Sequence, residues 1–226
     1  MEYKIVETKE RVIADLEKVA DENRRLASEH DCVLINLMGS PGAGKTSVLL
    51  RLIALLKDRY NIGVMEADVD SDVDAKTISE TGVRVIQLHS GGLCHMDADM
   101  TARGINEIGI EGLDVLFLEN IGNLVCPAEF EIGADIRLMI LSVPEGDDKP
   151  LKYPLMFSIS DILLVNKTDT LPIFDFDMEL LNKRVNALNA NIRIFEVSAK
   201  KGLGFEAVAD VISCRIEEKR KNHENH

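Results

Sequence analysis

A chain of 226 residues is long enough for one α/β domain with a substantial core and short for two. Its 46% hydrophobic and 29% charged residues fit a soluble globular protein, and no apolar run reaches the about 18 residues that a membrane span requires, so no membrane partner is expected. A formal net charge of −13 argues against non-specific nucleic-acid binding, which depends on neutralising phosphates with Lys and Arg.

Met1-Glu2-Tyr3-Lys4 lacks the apolar core of a signal peptide, and Cys32, Cys94, Cys126 and Cys214 form no disulfide framework. Both features predict a cytoplasmic chain. From Thr8 to Glu29, Val12, Leu16, Val19, Ala20, Leu26 and Ala27 recur at helical spacing among charges, predicting an amphipathic helix packed on the domain, with a partner-docking helix as the alternative. Strands are then expected at Val33–Met38, Ile62–Glu66, Val83–Leu88, Val115–Glu119, Ile136–Val143, Ile162–Val165 and Arg193–Val197. Helices are expected at Lys45–Tyr60, Asp72–Thr81, Met96–Ile108, Leu151–Ser158, Phe176–Asn189 and Gly204–Lys219. This alternation predicts an α/β fold, a mostly parallel sheet with helices on both faces. The organisation expected is an N-terminal helix over 1–30, a nucleotide-binding domain over 31–217 and a charged, fraying tail over 218–226.

The first strand runs into Gly39-Ser40-Pro41-Gly42-Ala43-Gly44-Lys45-Thr46, followed by a helical stretch from Ser47. G-x-x-x-x-G-K-T between strand and helix is a phosphate-binding loop, which specifies the P-loop NTPase fold. Its glycines let successive amides converge on phosphate oxygens, and the helix N-terminus adds its positive end. The expected binding set is Gly39, Pro41, Gly42, Ala43, Gly44, Lys45, Thr46 and Ser47. Lys45 is placed on the β- and γ-phosphates and the Thr46 hydroxyl on Mg²⁺.

Ile162-Leu163-Leu164-Val165 leads into Asn166-Lys167-Thr168-Asp169, the N-K-x-D element of guanine recognition. The Asp169 carboxylate can accept from N1–H and the 2-amino group of guanine, whereas adenine offers a lone pair at N1. Asn166 is expected to bridge to the phosphate loop and Lys167 to lie along the base. Ser198-Ala199-Lys200 resembles the S-A-K element, whose alanine amide contacts the guanine O6. GTP is therefore the expected nucleotide.

The second strand leads to Asp68, chosen as a Mg²⁺ ligand or water-orienting group because it lies nearest the strand end. The acidic residues Asp70, Asp72 and Asp74 follow, with Asp72 a candidate helix cap. Val115-Leu116-Phe117-Leu118 ends in Glu119-Asn120-Ile121-Gly122, where Glu119 joins Thr46 and Asp68 on Mg²⁺ and the Gly122 amide approaches the γ-phosphate. Lys45, Asp68 and Glu119 form the expected catalytic set. E-x-x-G in place of D-x-x-G points to the dimerising SIMIBI-type GTPases. No glutamine is placed to position water, so slow intrinsic turnover is expected.

His89-Ser90-Gly91-Gly92-Leu93-Cys94-His95 and Gly122-Asn123-Leu124-Val125-Cys126-Pro127 follow two strands at one sheet edge. Cys94, His95 and Cys126 can converge there as ligands for Ni²⁺ or Zn²⁺. Core packing is an equal alternative for the two thiols, and is the expectation for Cys32 and Cys214.

M-G-S-P-G-A-G-K-T, G-G-L-C-H-M-D-A, F-L-E-N-I-G-N-L-V-C-P-A, E-G-D-D-K-P-L-K-Y-P, N-K-T-D and S-A-K together resemble the hydrogenase nickel-incorporation GTPases, usually called HypB. The resemblance runs from Cys32 to about Ile216. It implies a GTP-dependent homodimer that delivers nickel to the large subunit of a nickel–iron ([NiFe]) hydrogenase with a HypA-type metallochaperone as partner. It also implies a nickel or zinc site at the dimer interface, on Cys94, His95 and Cys126. Residues 1–31 carry no cysteine and one histidine, His30, so the nickel-storage motifs of some family members are not expected. Lys149 and Lys152 either reach nucleotide or sit in a solvated loop. Alternatives are a urease or cobalamin-enzyme chaperone, a P-loop kinase, or a metal buffer. The Cys-Pro-His of the urease type is absent, N-K-T-D speaks against a kinase, and intact Lys45-Thr46 with Glu119 speaks against a buffer.

Overall fold

The computed structural model describes residues 8–68 and 73–224, with side chains described over 15–68 and 73–221. Asp70 and Asp72, together with the side chain of Val12, lie outside the described residues.

The order is α1 (Thr8–Glu29), β1 (Val33–Gly39), α2 (Lys45–Leu56), β2 (Ile62–Asp68), α3 (Val73–Ser79), β3 (Arg84–His89), α4 (Ala98–Ile108), β4 (Val115–Glu119) and α5 (Cys126–Glu129). It continues with β5 (Ile136–Ser142), α6 (Lys149–Lys152), α7 (Pro154–Ile159), β6 (Ile162–Asn166), α8 (Met178–Leu188), β7 (Arg193–Glu196) and α9 (Phe205–Glu224). The seven strands form one parallel sheet in the order β3-β2-β4-β1-β5-β6-β7. β1, β4 and β6 are buried throughout, which explains their unbroken apolar runs, whereas the edge strands β3 and β7 are only partly covered.

Strand alternation divides the core. Val33, Ile35 and Leu37 of β1 pack with Leu49, Leu52 and Ile53 of α2 and with Phe205, Val208 and Ile212 of α9. On the opposite face Leu34 packs with Ile105 and Ile108 of α4 and Ala27 of α1, and Met38 packs with Phe157 of α7 and Leu181 of α8. α1 is thus part of the domain's packing. Its buried Asn23 donates to the carbonyls of Ala98 at 2.9 Å and Ile132 at 3.1 Å. Among the described residues no helix is long and apolar enough to cross a membrane.

Differences from the sequence expectation have local causes. The helix expected over 151–158 is two short helices, because Pro154 lacks an amide donor and disfavours helical geometry at Tyr153, whose φ is −131°. α4 starts two residues later than expected, where the Asp97 side chain accepts from the Met100 amide at 2.8 Å and caps the helix. α2 ends at Leu56, and the Tyr60 hydroxyl ties the next turn to Glu217 at 3.1 Å. α9 continues through most of the expected tail. Lys219, nearly buried, donates to the Cys32 carbonyl at 2.8 Å and to Asp135 Oδ2 at 2.6 Å, while Arg220 reaches Asp114 Oδ1 at 2.6 Å.

Candidate functional site

The loops after β1, β2, β3, β4, β6 and β7 leave the carboxyl edge of the sheet, where ligands of open parallel sheets bind. Gly44 has a φ of 95°, and a Cβ there would lie 2.6 Å from Asn166 Nδ2, so glycine is required on two counts. α2 begins at Lys45 without a side-chain cap, which leaves its first-turn donors for a phosphate.

Asn166 does bridge to this loop. Its Nδ2 donates to the Ala43 carbonyl at 2.9 Å. Lys167, in the left-handed region at φ 63°, donates to the Gly42 carbonyl at 2.6 Å rather than lying free. Asp169 Oδ1 accepts from the Ser198 hydroxyl at 2.5 Å, and that bond holds its carboxyl below the usual range, leaving it an anionic acceptor. The Ala199 amide, expected on guanine O6, donates to Asn166 Oδ1 at 3.1 Å, so reading O6 requires it to be shared. Arg51 braces this segment from behind, donating to the Ala199 carbonyl at 2.8 Å and the Lys200 carbonyl at 3.4 Å. Ser47 is exposed on the first turn of α2. Lys152 pairs with Asp148 Oδ2 at 2.5 Å, and the Lys149 ammonium lies 5.9 Å from the Tyr153 ring.

The Thr46 hydroxyl donates to Glu119 Oε1 at 2.8 Å, joining two of the expected Mg²⁺ ligands. Glu119 is 3% exposed and its Oε2 has no partner. Burial pushes this carboxyl up to about 7, opposed by the Thr46 bond and the Lys45 charge. Asp68 closes β2, half-buried, and its charge also acts on Glu119. A hydroxyl, an orphaned buried carboxylate oxygen and a second carboxylate fit a hard divalent cation.

Sequence reasoning passed over Glu66. It is 2% exposed and stands in register between Gln87 of β3 and Glu119 of β4. Burial first, then the neighbouring Glu119, raises its carboxyl to about 8. Gln87 approaches it and offsets this in part, although neither amide atom makes a bond of ordinary geometry. The signal was present: a glutamate within the apolar run Ile62–Ala67, two residues before Asp68 and so on the same sheet face. Both glutamates hold protons more tightly folded than unfolded. Their contribution to stability is therefore complete below about 4.5, the ordinary carboxylate value, and is lost as pH rises through about 7 and 8. The urea midpoint of the metal-free protein is expected to fall between pH 5.5 and 8.5, with a shallower fall in Glu66→Gln. A midpoint that rises over this interval contradicts the assignment.

The three expected soft ligands converge. Cys94 Sγ lies 2.8 Å from Cys126 Sγ and 3.8 Å from His95 Nδ1, and the ligand atoms of all three lie within 4.8 Å of one another. Two thiolates on one tetrahedral ion stand about 3.8 Å apart, given metal–sulfur bonds of about 2.3 Å, so metal entry requires the sulfurs to part by roughly 1 Å. Cys94 is exposed and Cys126 half-buried, which favours the ligand reading over core packing; Cys32 is fully buried, as expected, whereas Cys214 is exposed. The Cys94 bond and burial raise the Cys126 thiol, so binding must displace a proton. The His95 ring stacks on Phe130, with centroids 3.9 Å apart and planes inclined by 17°. Burial lowers the imidazole below its ordinary value, which favours the neutral, ligating form. Phe130 follows directly on α5, the short helix that begins with Cys126, so the stack joins the two ligand-bearing segments.

Residues 33–196 match the family model of the CobW/HypB/UreG nucleotide-binding domain. The chain is 41% identical over 204 residues to hydrogenase maturation factor HypB of Rhizobium leguminosarum bv. viciae, covering 90% of this chain and 68% of that one. It spans about two thirds of the length of such bacterial relatives. The crystal structure of hydrogenase maturation factor HypB from Archaeoglobus fulgidus superposes with a TM-score of 0.84 at 32% identity, over 90% of this chain and 99% of that one. HypB from Helicobacter pylori in complex with nickel gives a TM-score of 0.82 at 34% identity, over 92% and 96%.

Proposed function

From the premise that this chain belongs to the HypB family of hydrogenase maturation factors, we propose that it is a GTP-hydrolysing nickel metallochaperone for nickel–iron hydrogenase. One observation carries the reading. The segment from Glu119 to Cys126 begins at the Thr46 hydroxyl and ends at the thiol paired with Cys94. Nucleotide chemistry and soft-metal ligation therefore share one connection of eight residues.

In this mechanism Asp169, Ser198 and Ala199 select guanine, and Asn166 and Lys167 brace the loop that receives the phosphates. Lys45 and the uncapped start of α2 draw the β- and γ-phosphates in and stabilise charge as the terminal phosphoryl group departs. Thr46, Glu119 and Asp68 would hold Mg²⁺, which would supply charge neutralisation for the phosphates. Water attacks the γ-phosphorus, giving GDP and phosphate, and Gly122 approaches the γ-phosphate by its amide. The chain offers no water-positioning glutamine, which supports slow turnover.

Nickel is cargo, held by Cys94, His95 and Cys126; the same set accepts zinc, because thiolate and imidazole suit both ions. Three ligands leave a position for a second copy's set, so GTP would close a two-fold dimer across the metal and hydrolysis would release it. Delivery to the hydrogenase large subunit and exchange with a HypA-type partner in the cytoplasm complete the proposal. Residues 31–217 would form the GTPase domain, with 1–30 and 218–226 as its helical and charged extensions. In light scattering, the 25.1 kDa chain is expected as a monomer with GDP and as a dimer with a non-hydrolysable GTP analogue and Ni²⁺. A monomer under both conditions contradicts the dimer.

A further inference from the structure

Asn123 joins the phosphate loop to both halves of the soft-metal site. Its amide donates to the Gly39 carbonyl at 3.1 Å, and these two residues form an antiparallel bridge. Its side-chain oxygen accepts from the Val125 amide at 2.7 Å and the Cys126 amide at 3.4 Å. Its side-chain amide donates to the Cys94 carbonyl at 3.4 Å. The preceding Gly122 leaves no slack, since a Cβ there would lie 2.8 Å from the Pro41 nitrogen and 2.9 Å from its Cα. Asn120 ties the same segment to the sheet. Its amide donates to the Leu37 carbonyl at 2.9 Å, and its side-chain oxygen accepts from the Met96 amide at 3.1 Å.

We propose that Asn123 is the positioning residue through which the state of the phosphate loop reaches the metal ligands. This role rests on the nucleotide-gated metal binding proposed above. The bonds to Gly39 and Val125 have ordinary lengths, so the asparagine moves with the loop and with the turn before α5. The bonds to Cys94 and Cys126 lie near the outer limit of hydrogen bonding, where a few tenths of an ångström make or break them. A small shift of Gly39 and Pro41 around the phosphates thereby changes how firmly the two cysteine backbones are held together. The Asn123 carboxamide supplies both the acceptor for Val125 and Cys126 and the donor for Cys94.

The test measures Ni²⁺ affinity of the full chain, by thiolate-to-metal charge-transfer absorption, with GDP and with a non-hydrolysable GTP analogue. The readout is the ratio of the two affinities. A ratio within about 5–150-fold, the usual range of coupling between sites, is expected for the wild type. Asn123→Ala is expected to bring the ratio to near one while leaving nucleotide affinity and the thiolate band in place. Asn123→Asp keeps the acceptor that shapes the turn but cannot donate to Cys94, and the same loss is expected without unfolding. If both variants keep the wild-type ratio, the role of Asn123 is overturned and the gating stands. If the wild type itself shows a ratio of one, the gating fails and this role fails with it.

Discussion

Replacing Lys45 by alanine is expected to lower GTP hydrolysis by about two to three orders of magnitude, the usual cost of removing one preorganised donor aimed at developing charge. The effect has two parts. The variant loses the ammonium that meets the departing phosphoryl group, and it loses a charge that favours ionisation of buried Glu119. Lys45 is only half-buried at the start of α2, so the fold should survive, and an unchanged far-ultraviolet circular dichroism spectrum would check this. Phosphate release close to the wild-type rate in a folded Lys45→Ala protein would exclude a catalytic P-loop and favour a metal buffer.

Asp169→Asn is expected to weaken GTP roughly 10²–10⁴-fold while strengthening xanthosine triphosphate, because a site built around polar partners rejects a base that leaves them unmatched. The carboxylate accepts two N–H groups from guanine; a carboxamide offers one acceptor and one donor, which matches N1–H and the 2-oxo group of xanthine. Ser198, whose hydroxyl fixes Asp169 Oδ1, can serve an asparagine oxygen equally well, so the exchange should alter recognition rather than folding. Competition binding with GTP, ATP and xanthosine triphosphate reads the outcome. ATP bound by the wild type as tightly as GTP contradicts the guanine assignment.

Much of this site was legible in the chain because it consists of short-range motifs on predictable elements. Gly39 to Thr46 announce a phosphate loop by spacing alone, and buried strands such as β4 and β6 announce themselves by apolar runs that end in Glu119 and Asn166. The bond from Asn166 to Ala43 spans 123 residues, yet it was expected because the N-K-x-D element carries its geometry with it. What escaped depends on packing between segments that share no pattern. Glu66 carries a sign in sequence, a carboxylate inside an apolar run, but its pairing with Gln87 and Glu119 appears only when β2 sets it between them. Phe130 reads as one more apolar residue until its ring meets His95. Asn123 offers no sign in sequence that its two ends reach Cys94 and Cys126. The break at Pro154 was readable from the residue before proline, whereas the anchoring of α9 by Lys219 on Asp135 was not, since charged residues near a terminus ordinarily remain in solvent.

The most direct test of GTP-gated metal binding is a Ni²⁺ titration of the wild type and Cys94→Ser side by side, each with GDP and with the non-hydrolysable analogue. A thiolate-to-metal band that requires Cys94, and whose midpoint moves when the analogue replaces GDP, is the predicted result. A band absent in both nucleotide states, or one that persists unchanged in Cys94→Ser, would contradict it.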